Sequence, residues 1–350
     1  MSRFDVGRAE LEALLDGEPR YRVAQAYEGL FRRLREPGEL TELPRALRDR
    51  LAAAPQLAAG LAPVAEDLAD GGTTRKWLFR LEDGRAVETV LMAYRDRVTV
   101  CVSSQAGCAM GCSFCATGQA GFGRHLRAGE IVEQVARAAR SSRELGLGEL
   151  GNVVLMGMGE PLANYEAVLS ALRRCNADLG IGARHMTVST VGIVPGIDRL
   201  SHETLQVNLA VSLHAANDAL RDRLVPMNRR YPLAALRDAL ERYRRLTRRR
   251  VSLEWALIDG VNDRAADARE LAAFARPLGA HVNLIPLNPT PGFPARASSP
   301  ARVAAFRAAL SAAGVNVTVR RTRGRAIAAA CGQLAGGAVI GAGGRGRLPQ

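Results

Sequence analysis

Lysine is almost missing from this sequence: of 48 basic residues, Lys76 alone is not arginine. A bias that strong can come from genome composition, so the pI of about 10.4 does not by itself argue for a nucleic-acid partner. Aromatic residues make up only 5% of the 350 positions. No apolar run reaches the ~18 residues that a membrane-spanning helix needs. The opening stretch MSRFDVGRAELEALLDGEP is acidic and amphipathic, unlike a signal peptide. A cytoplasmic protein without membrane contact is the expectation. Six cysteines in that compartment are expected to be ligands or reactive thiols rather than structural disulfides.

What is present is positive charge, part of it concentrated. The formal charge is +13, from 48 basic against 35 acidic residues. RYRRLTRRR (242–250) carries six arginines in nine residues, and RRTRGR (320–325) carries four in six. Either run alone reads equally as a solvated face. Two together favour contact with the phosphates of RNA or DNA.

Residues 1–65 read as a small helical domain, because RAELEALLDG and YRVAQAYEGLFRRL repeat apolar residues at helical spacing. DLADGGTTR reads as a glycine-containing joint. Residues 74–96 are expected to form a β extension, with KWLFRLEDGRAVETVLMAY alternating like two strands around a turn at Asp83-Gly84. From 97 to 335 short β-rich runs alternate with amphipathic helical stretches: RVTVCVSS, NVVLMGMGE, HMTVSTVG, QVNLAVSLH, VSLEWALI and HVNLIPLN. Six parallel βα units fall short of the eight that close a barrel, so the expected fold class is α/β with an open, partial (β/α)6 barrel. VNVTVRRT (315–322) reads as one further strand, and the glycine-rich residues 336–350 as a flexible tail.

CVSSQAGCAMGCSFCATGQ (101–119) holds four of the six cysteines. Cys108, Cys112 and Cys115 follow a C-x3-C-x2-C spacing. Structural zinc would want a fourth ligand from a second C-x2-C or H-x3-H pair, and the nearest histidine, His125, is unpaired. A [4Fe–4S] cubane needs only three thiolates and leaves its fourth iron open. Spacing alone leaves both readings standing. Position favours the cubane, since the loop follows the first strand of the barrel. Further polar residues fall at strand ends: Glu160 in GMGEP, Ser189, Ser212 with Leu213 and His214, and Asn288. Each alone reads as a cap or turn former. Together they sit where parallel barrels gather ligand groups.

The whole set resembles the radical S-adenosylmethionine RNA methyltransferases that modify adenosine. The matching stretches include GEPRYRVAQAYEGLF, VETVLM, CVSSQAGCAMGCSFCATG, GMGEPLANY, SLHAANDALRDRLVPMN, NLIPLNPTPG and AACGQLAG. The resemblance implies a radical S-adenosylmethionine barrel with one [4Fe–4S] cluster on Cys108, Cys112 and Cys115. It implies cofactor contacts from Gly159, Glu160, Ser189, Ser212, Leu213, His214 and Asn288. It gives Cys331 the role of the cysteine that becomes S-methylated, and Cys101 that of its partner in a transient disulfide. Glu88 matches the proton acceptor, although by sequence alone it reads as an exposed strand carboxylate. Cys175 matches nothing and reads as a helix-packing residue.

The implied activity is methylation of adenosine C2 in 23S rRNA and also tRNA, with two S-adenosylmethionine molecules per turnover. One methylates the Cys331 thiol, and the other generates the radical that activates that methyl group for attack on the ring. Glu88 removes the ring hydrogen, and Cys101 releases the product by thiol exchange. The expected partners are RNA and an electron donor such as flavodoxin or ferredoxin, around a monomeric enzyme. The alternatives are C8 methylation, by nearly the same machinery, and a divergent RNA binder. One departure stands out: Arg325-Ala326 occupies a position before Cys331 where the family is usually acidic.

Overall fold

The computed structural model describes residues 2–320 and 322–335; the tail at 336–350 lies outside the described residues. Near-continuous apolar runs suit strands covered on both faces, as parallel strands are. One ten-stranded sheet holds both parallel and antiparallel pairs. It starts as an antiparallel meander of β1 (Ala62–Ala69), β2 (Thr74–Arg80) and β3 (Ala86–Ala93), and β3 pairs antiparallel with β4 (Val98–Cys101). From β4 onward all neighbours are parallel: β7 (Leu150–Leu155), β8 (Met186–Thr190), β9 (Asn208–Ser212), β10 (Ser252–Leu257), β11 (His281–Pro286) and β12 (Asn316–Val319). A separate hairpin of β5 (Gln105–Gly107) and β6 (Phe122–His125) brackets the cysteine loop.

Each of the six anticipated runs overlaps one of the strands β4 and β7 to β11, with β7 beginning two residues before NVVLMGMGE, and VNVTVRRT contains β12. The anticipated hairpin is β2–β3, turning at Gly84 with φ 81°. β1 lies where a helical domain and a joint were expected. Its polar residues hide it from a hydrophobic pattern, because their partners lie across the strand pair: Glu66 accepts from Arg75 at 2.7 Å, and Asp67 stands opposite Lys76. The short β5–β6 hairpin also escapes periodicity, since its strands are only three and four residues long and each holds a glycine.

Three amino-terminal helices, α1 (Arg8–Leu14), α2 (Arg20–Tyr27) and α3 (Arg45–Ala53), precede the sheet. A short α4 (Ala116–Gln119) follows the cysteine loop. The crossovers of the parallel part are α5 (Ala128–Glu144), α6 (Tyr165–Ala177), α7 (Val194–Ser201), α8 (Asp218–Leu224), α9 (Leu233–Thr247), α10 (Ala265–Ala275) and α11 (Pro300–Ala312). Phe4, Leu30 and Phe31 of the amino-terminal segment share one continuous core with Val132 and Val135 of α5. Cys175 is buried within α6, in line with a packing role. Among the described residues no helix is long and apolar enough to cross a membrane.

Glu133 of α5 pins the amino-terminal segment to the barrel. It is 2% exposed and accepts from Ser2 Oγ at 2.6 Å, from the amide of Gly60 at 2.8 Å and from Arg137 at 2.9 Å. Glu133→Ala strands these buried donors and is expected to cost about 3 kcal/mol in urea unfolding. Hydrogen exchange should show residues 2–60 losing protection first.

Candidate active site

Parallel strands deliver their carboxyl ends to one rim, and the loops leaving it carry the polar residues. The loop after β4 holds Cys108, Cys112 and Cys115. The β5–β6 hairpin closes it, the Cys108 amide donating to the carbonyl of Gly121 at 2.7 Å. Across the rim, Ser113 N–H donates to the carbonyl of Leu224 at 3.2 Å. The Phe114 ring meets the His214 ring edge-on at 4.6 Å.

The three thiols face a cavity of about 150 Å³ that Gly159, Glu160, Ser189, Ser212, His214, Asn288 and Cys331 also line. Leu213 is fully buried, its amide bonded to the carbonyl of Glu254 at 3.0 Å. Gly159 has φ 100°, and a Cβ there would lie 2.6 Å from that of Gln105, so only glycine fits. Glu160 is buried and accepts from the amides of Leu162 at 3.0 Å and Val191 at 2.8 Å. Burial outweighs these bonds and raises its pKa to about 7. His214 holds a left-handed φ of 57°, and its Nδ1 accepts from the Ala256 amide at 2.9 Å, which leaves the proton on Nε2. Burial, then Arg221, lower its pKa to about 3, so the ring is neutral.

Among the described residues no three His, Cys, Asp or Glu side chains converge as a single metal ion requires. A cubane makes a different demand, because each of its three thiolates binds a separate iron. Burial pushes Cys108 up to about 12 and Cys112 well above its ordinary value, with neighbouring thiols and Glu160 adding to the effect. Iron supplies the positive charge that such thiols lack. The donor set therefore fits the cluster.

After β12 the chain returns across the open side of the sheet to the β extension. Arg323 donates to Thr73 Oγ1 at 3.0 Å, the Gly324 amide to Asp70 at 3.1 Å and the Ala335 amide to Glu88 at 2.8 Å. Between these anchors Cys331 is held from two sides. Asn288 Nδ2 donates to the Cys331 carbonyl at 3.1 Å, and the Ala116 amide to that of Gly332 at 2.8 Å. Arg325, at the departure from the acidic pattern, reaches Asn288 Oδ1 at 3.5 Å.

Cys331 lines a second, smaller cavity as well, together with Cys101 at the end of β4. Burial, then Cys331, raise the Cys101 thiol to about 12. All six cysteines are free thiols, so no bond joins Cys101 to Cys331 here. Glu88 is buried at the centre of β3 and lines neither cavity. The exposed strand carboxylate that the sequence alone favoured is thereby corrected.

Two arginines of this site carried no site expectation. Arg221 is 1% exposed and donates to the carbonyls of Leu213, Val191 and Ser212 at 3.1, 2.6 and 3.3 Å, which ties the ends of β8 and β9 together. Its only signal was an arginine amid the leucines of ALRDRLVPM. Arg320, expected in a phosphate-binding run, turns inward and lines both cavities. Cys331 first, then Glu254 and Cys101, favour its charged form. The other arginine run is also partly engaged internally. Arg242 pairs with Asp198 at 2.9 Å, Arg244 donates to the carbonyl of Pro277 at 2.9 Å and Arg249 to Asn208 at 2.7 Å. Arg248, Arg249 and Arg250 stand at the amino end of β10, opposite the rim that carries the cavity.

A three-thiol loop over the carboxyl rim of a partial parallel barrel is the arrangement of a radical S-adenosylmethionine enzyme. A family model described as the Radical SAM superfamily accordingly matches residues 102–272. The chain is 51% identical over 348 residues to the "Probable dual-specificity RNA methyltransferase RlmN" of Chloroflexus aurantiacus, covering 95% of this chain and 92% of that one. A protein of the same name from Roseiflexus castenholzii is 48% identical, with 95% and 96% covered. A radical SAM methyltransferase structure from Sphaerobacter thermophilus superposes with a TM-score of 0.91 at 53% identity, covering 95% of this chain and 99% of that one. The chain belongs to the RlmN family of radical S-adenosylmethionine RNA methyltransferases.

Glu160 can pair with a ligand ammonium only as a carboxylate. Affinity for S-adenosylmethionine is therefore expected to fall as pH is lowered through about 7, the value to which burial raises this group. Equilibrium binding on the iron-loaded protein measures this, and Glu160→Gln should both weaken binding and flatten its pH dependence. In iron-free protein, iodoacetamide should modify half-buried Cys331 well before buried Cys101 and Cys175, whose thiols stand at about 12. Peptide mass spectrometry over time reads the order.

Proposed function

We propose that this protein methylates C2 of an adenosine in 23S rRNA, and in tRNA as well, with Cys331 carrying the methyl group from S-adenosylmethionine to the base. The observation that carries the reading is the location of Cys331 at two cavities. A group on its sulfur can face the three-cysteine loop in one and Cys101 in the other. Cys108, Cys112 and Cys115 would hold one [4Fe–4S] cluster, which when bound supplies the electron that cleaves S-adenosylmethionine to a radical.

The chain's own residues have the remaining roles. Glu160 receives the amino group of S-adenosylmethionine, and the His214 Nε2–H is a donor beside it. Gly159, Ser189, Ser212 and Asn288 line the rest of that pocket, and Leu213, buried between Ser212 and His214, helps to shape it. Two S-adenosylmethionine molecules serve each turnover, one methylating Cys331 and one activating the methyl group. Glu88 takes the ring proton after giving up the Ala335 amide. Cys101 then attacks the Cys331 sulfur as a thiolate: the S–S bond of a transient disulfide forms, the S–CH2 bond breaks, and the carbon leaves with that electron pair and takes up a proton to give the methyl group of the released RNA. Burial disfavours the Cys101 thiolate, and the charged Arg320 offsets part of that cost. The helical segment 1–65 and the arginine-rich basin around Arg248 are the surfaces for RNA phosphates. The basin would meet RNA remote from the target base. The enzyme acts as a cytoplasmic monomer with a flavodoxin or ferredoxin as electron donor.

Cys101→Ala should still methylate Cys331 and attack RNA, then stall as a covalent protein–RNA adduct on a denaturing gel. Cys331→Ala should form no adduct, and mass mapping of the wild-type product should place the methyl group at C2. Normal turnover by either variant would refute the assigned roles. Methylation mapped to C8 would reassign the target atom.

A further inference from the structure

The one lysine of the chain is not on its surface. The register of three adjacent strands sets Asp67 of β1 opposite Lys76 of β2, and Leu78 of β2 opposite Glu88 of β3. Lys76 and Glu88 are therefore diagonal neighbours on one face of the sheet. Lys76 Nζ lies 3.4 Å from Asp67 Oδ2 and 3.4 Å from Glu88 Oε1, with the lysine side chain 7% exposed and that of Glu88 5%. The other oxygen of Glu88 accepts the Ala335 amide, four residues beyond Cys331, at 2.8 Å.

Every other cation in this sequence is arginine, so whatever favours arginine elsewhere has not prevailed at position 76. The geometry gives a reason. An ammonium is compact and can hold two carboxylates from one point, whereas a planar guanidinium needs more room and presents its donors as a fixed fork. One buried and one half-buried carboxylate around a single ammonium also form an uneven set. When Glu88 takes a proton, Asp67 remains as the counter-ion, and no buried charge is left unpaired.

We propose that Lys76 is a positioning residue for Glu88, anchoring one carboxylate oxygen while the other exchanges the Ala335 amide for the target base. The proposal rests on the reading of Glu88 as the group that takes the ring proton. Asp67 keeps Lys76 in place on both sides of the transfer. The proton moves from the ring carbon to the Glu88 oxygen that had accepted the Ala335 amide, and the C–H electron pair returns to the ring.

The test follows the covalent protein–RNA adduct by denaturing gel and Cys331 S-methylation by mass spectrometry, in the iron-loaded enzyme. Glu88→Ala in the same assay is the reference, and it should accumulate adduct. Lys76→Met should leave Cys331 methylation at the wild-type level yet slow clearance of the adduct about tenfold or more, as loss of an outer-shell partner does. Lys76→Arg should also slow clearance. Asp67→Asn should slow it less than Lys76→Met does. A purely structural role would depress methylation and clearance together, and that result overturns the proposal. Wild-type clearance by Lys76→Met beside a stalled Glu88→Ala also overturns it. Should Lys76→Met fail to fold, Lys76→Arg decides, and wild-type clearance there rejects the need for an ammonium. No adduct in Glu88→Ala would instead remove the base assignment itself, and the Lys76 proposal with it.

Discussion

Parallel pairing from β4 to β12 forces the chain to leave each strand at the same rim. The βα crossovers cover the outside of the sheet, and every strand's carboxyl end opens toward one interior space. The cysteine loop, Glu160, Ser189, Ser212, His214 and Asn288 reach a common cavity for that reason, although Cys108 and Asn288 are 180 positions apart. Arg221 reinforces the rim by binding the carbonyls of two adjacent strand ends. Its burial is tolerated because those carbonyls and Asn228 occupy its donors.

The parallel strands alone would leave Cys331 far from any partner. The return of the chain after β12 corrects this through a few hydrogen bonds, anchored on the β extension at one end and on the cysteine loop at the other. Gly324 and Ala335 donate their amides to the carboxylates of Asp70 and Glu88, and Asn288 donates to the Cys331 carbonyl, so the docking depends on those side chains, while the Ala116–Gly332 bond joins backbone to backbone. The region it encloses is largely buried and rich in thiols. Desolvation there raises the thiols of Cys101, Cys108 and Cys112, and Arg320 is the inward-facing cation shared by both cavities. A low-dielectric interior makes that single charge count for more than the exposed arginines elsewhere.

Much of this fold was legible because parallel strands are almost uniformly apolar and their helical partners periodic. β1 was not, since its glutamate and aspartate are stabilised by residues on the neighbouring strand. The arginine runs misled in a related way. Arg320 and Arg242 look alike in sequence, yet one faces thiols in the interior and the other pairs with Asp198 on the surface. Side-chain direction depends on which residues pack opposite, and that information is distributed over the whole chain.

The sequence by itself determined the residue types: three thiols at a spacing suited to a cubane, apolar runs that must pair in parallel, and glycines where no Cβ can fit. Those are local constraints of covalent geometry, solvation and sterics. Only the tertiary structure decided that Cys331 meets both the cysteine loop and Cys101, that Glu88 shares Lys76 with Asp67, and that one arginine run lies at the far end of the barrel. These depend on sheet register and on a chain return that brings Cys331 to residues more than 200 positions earlier.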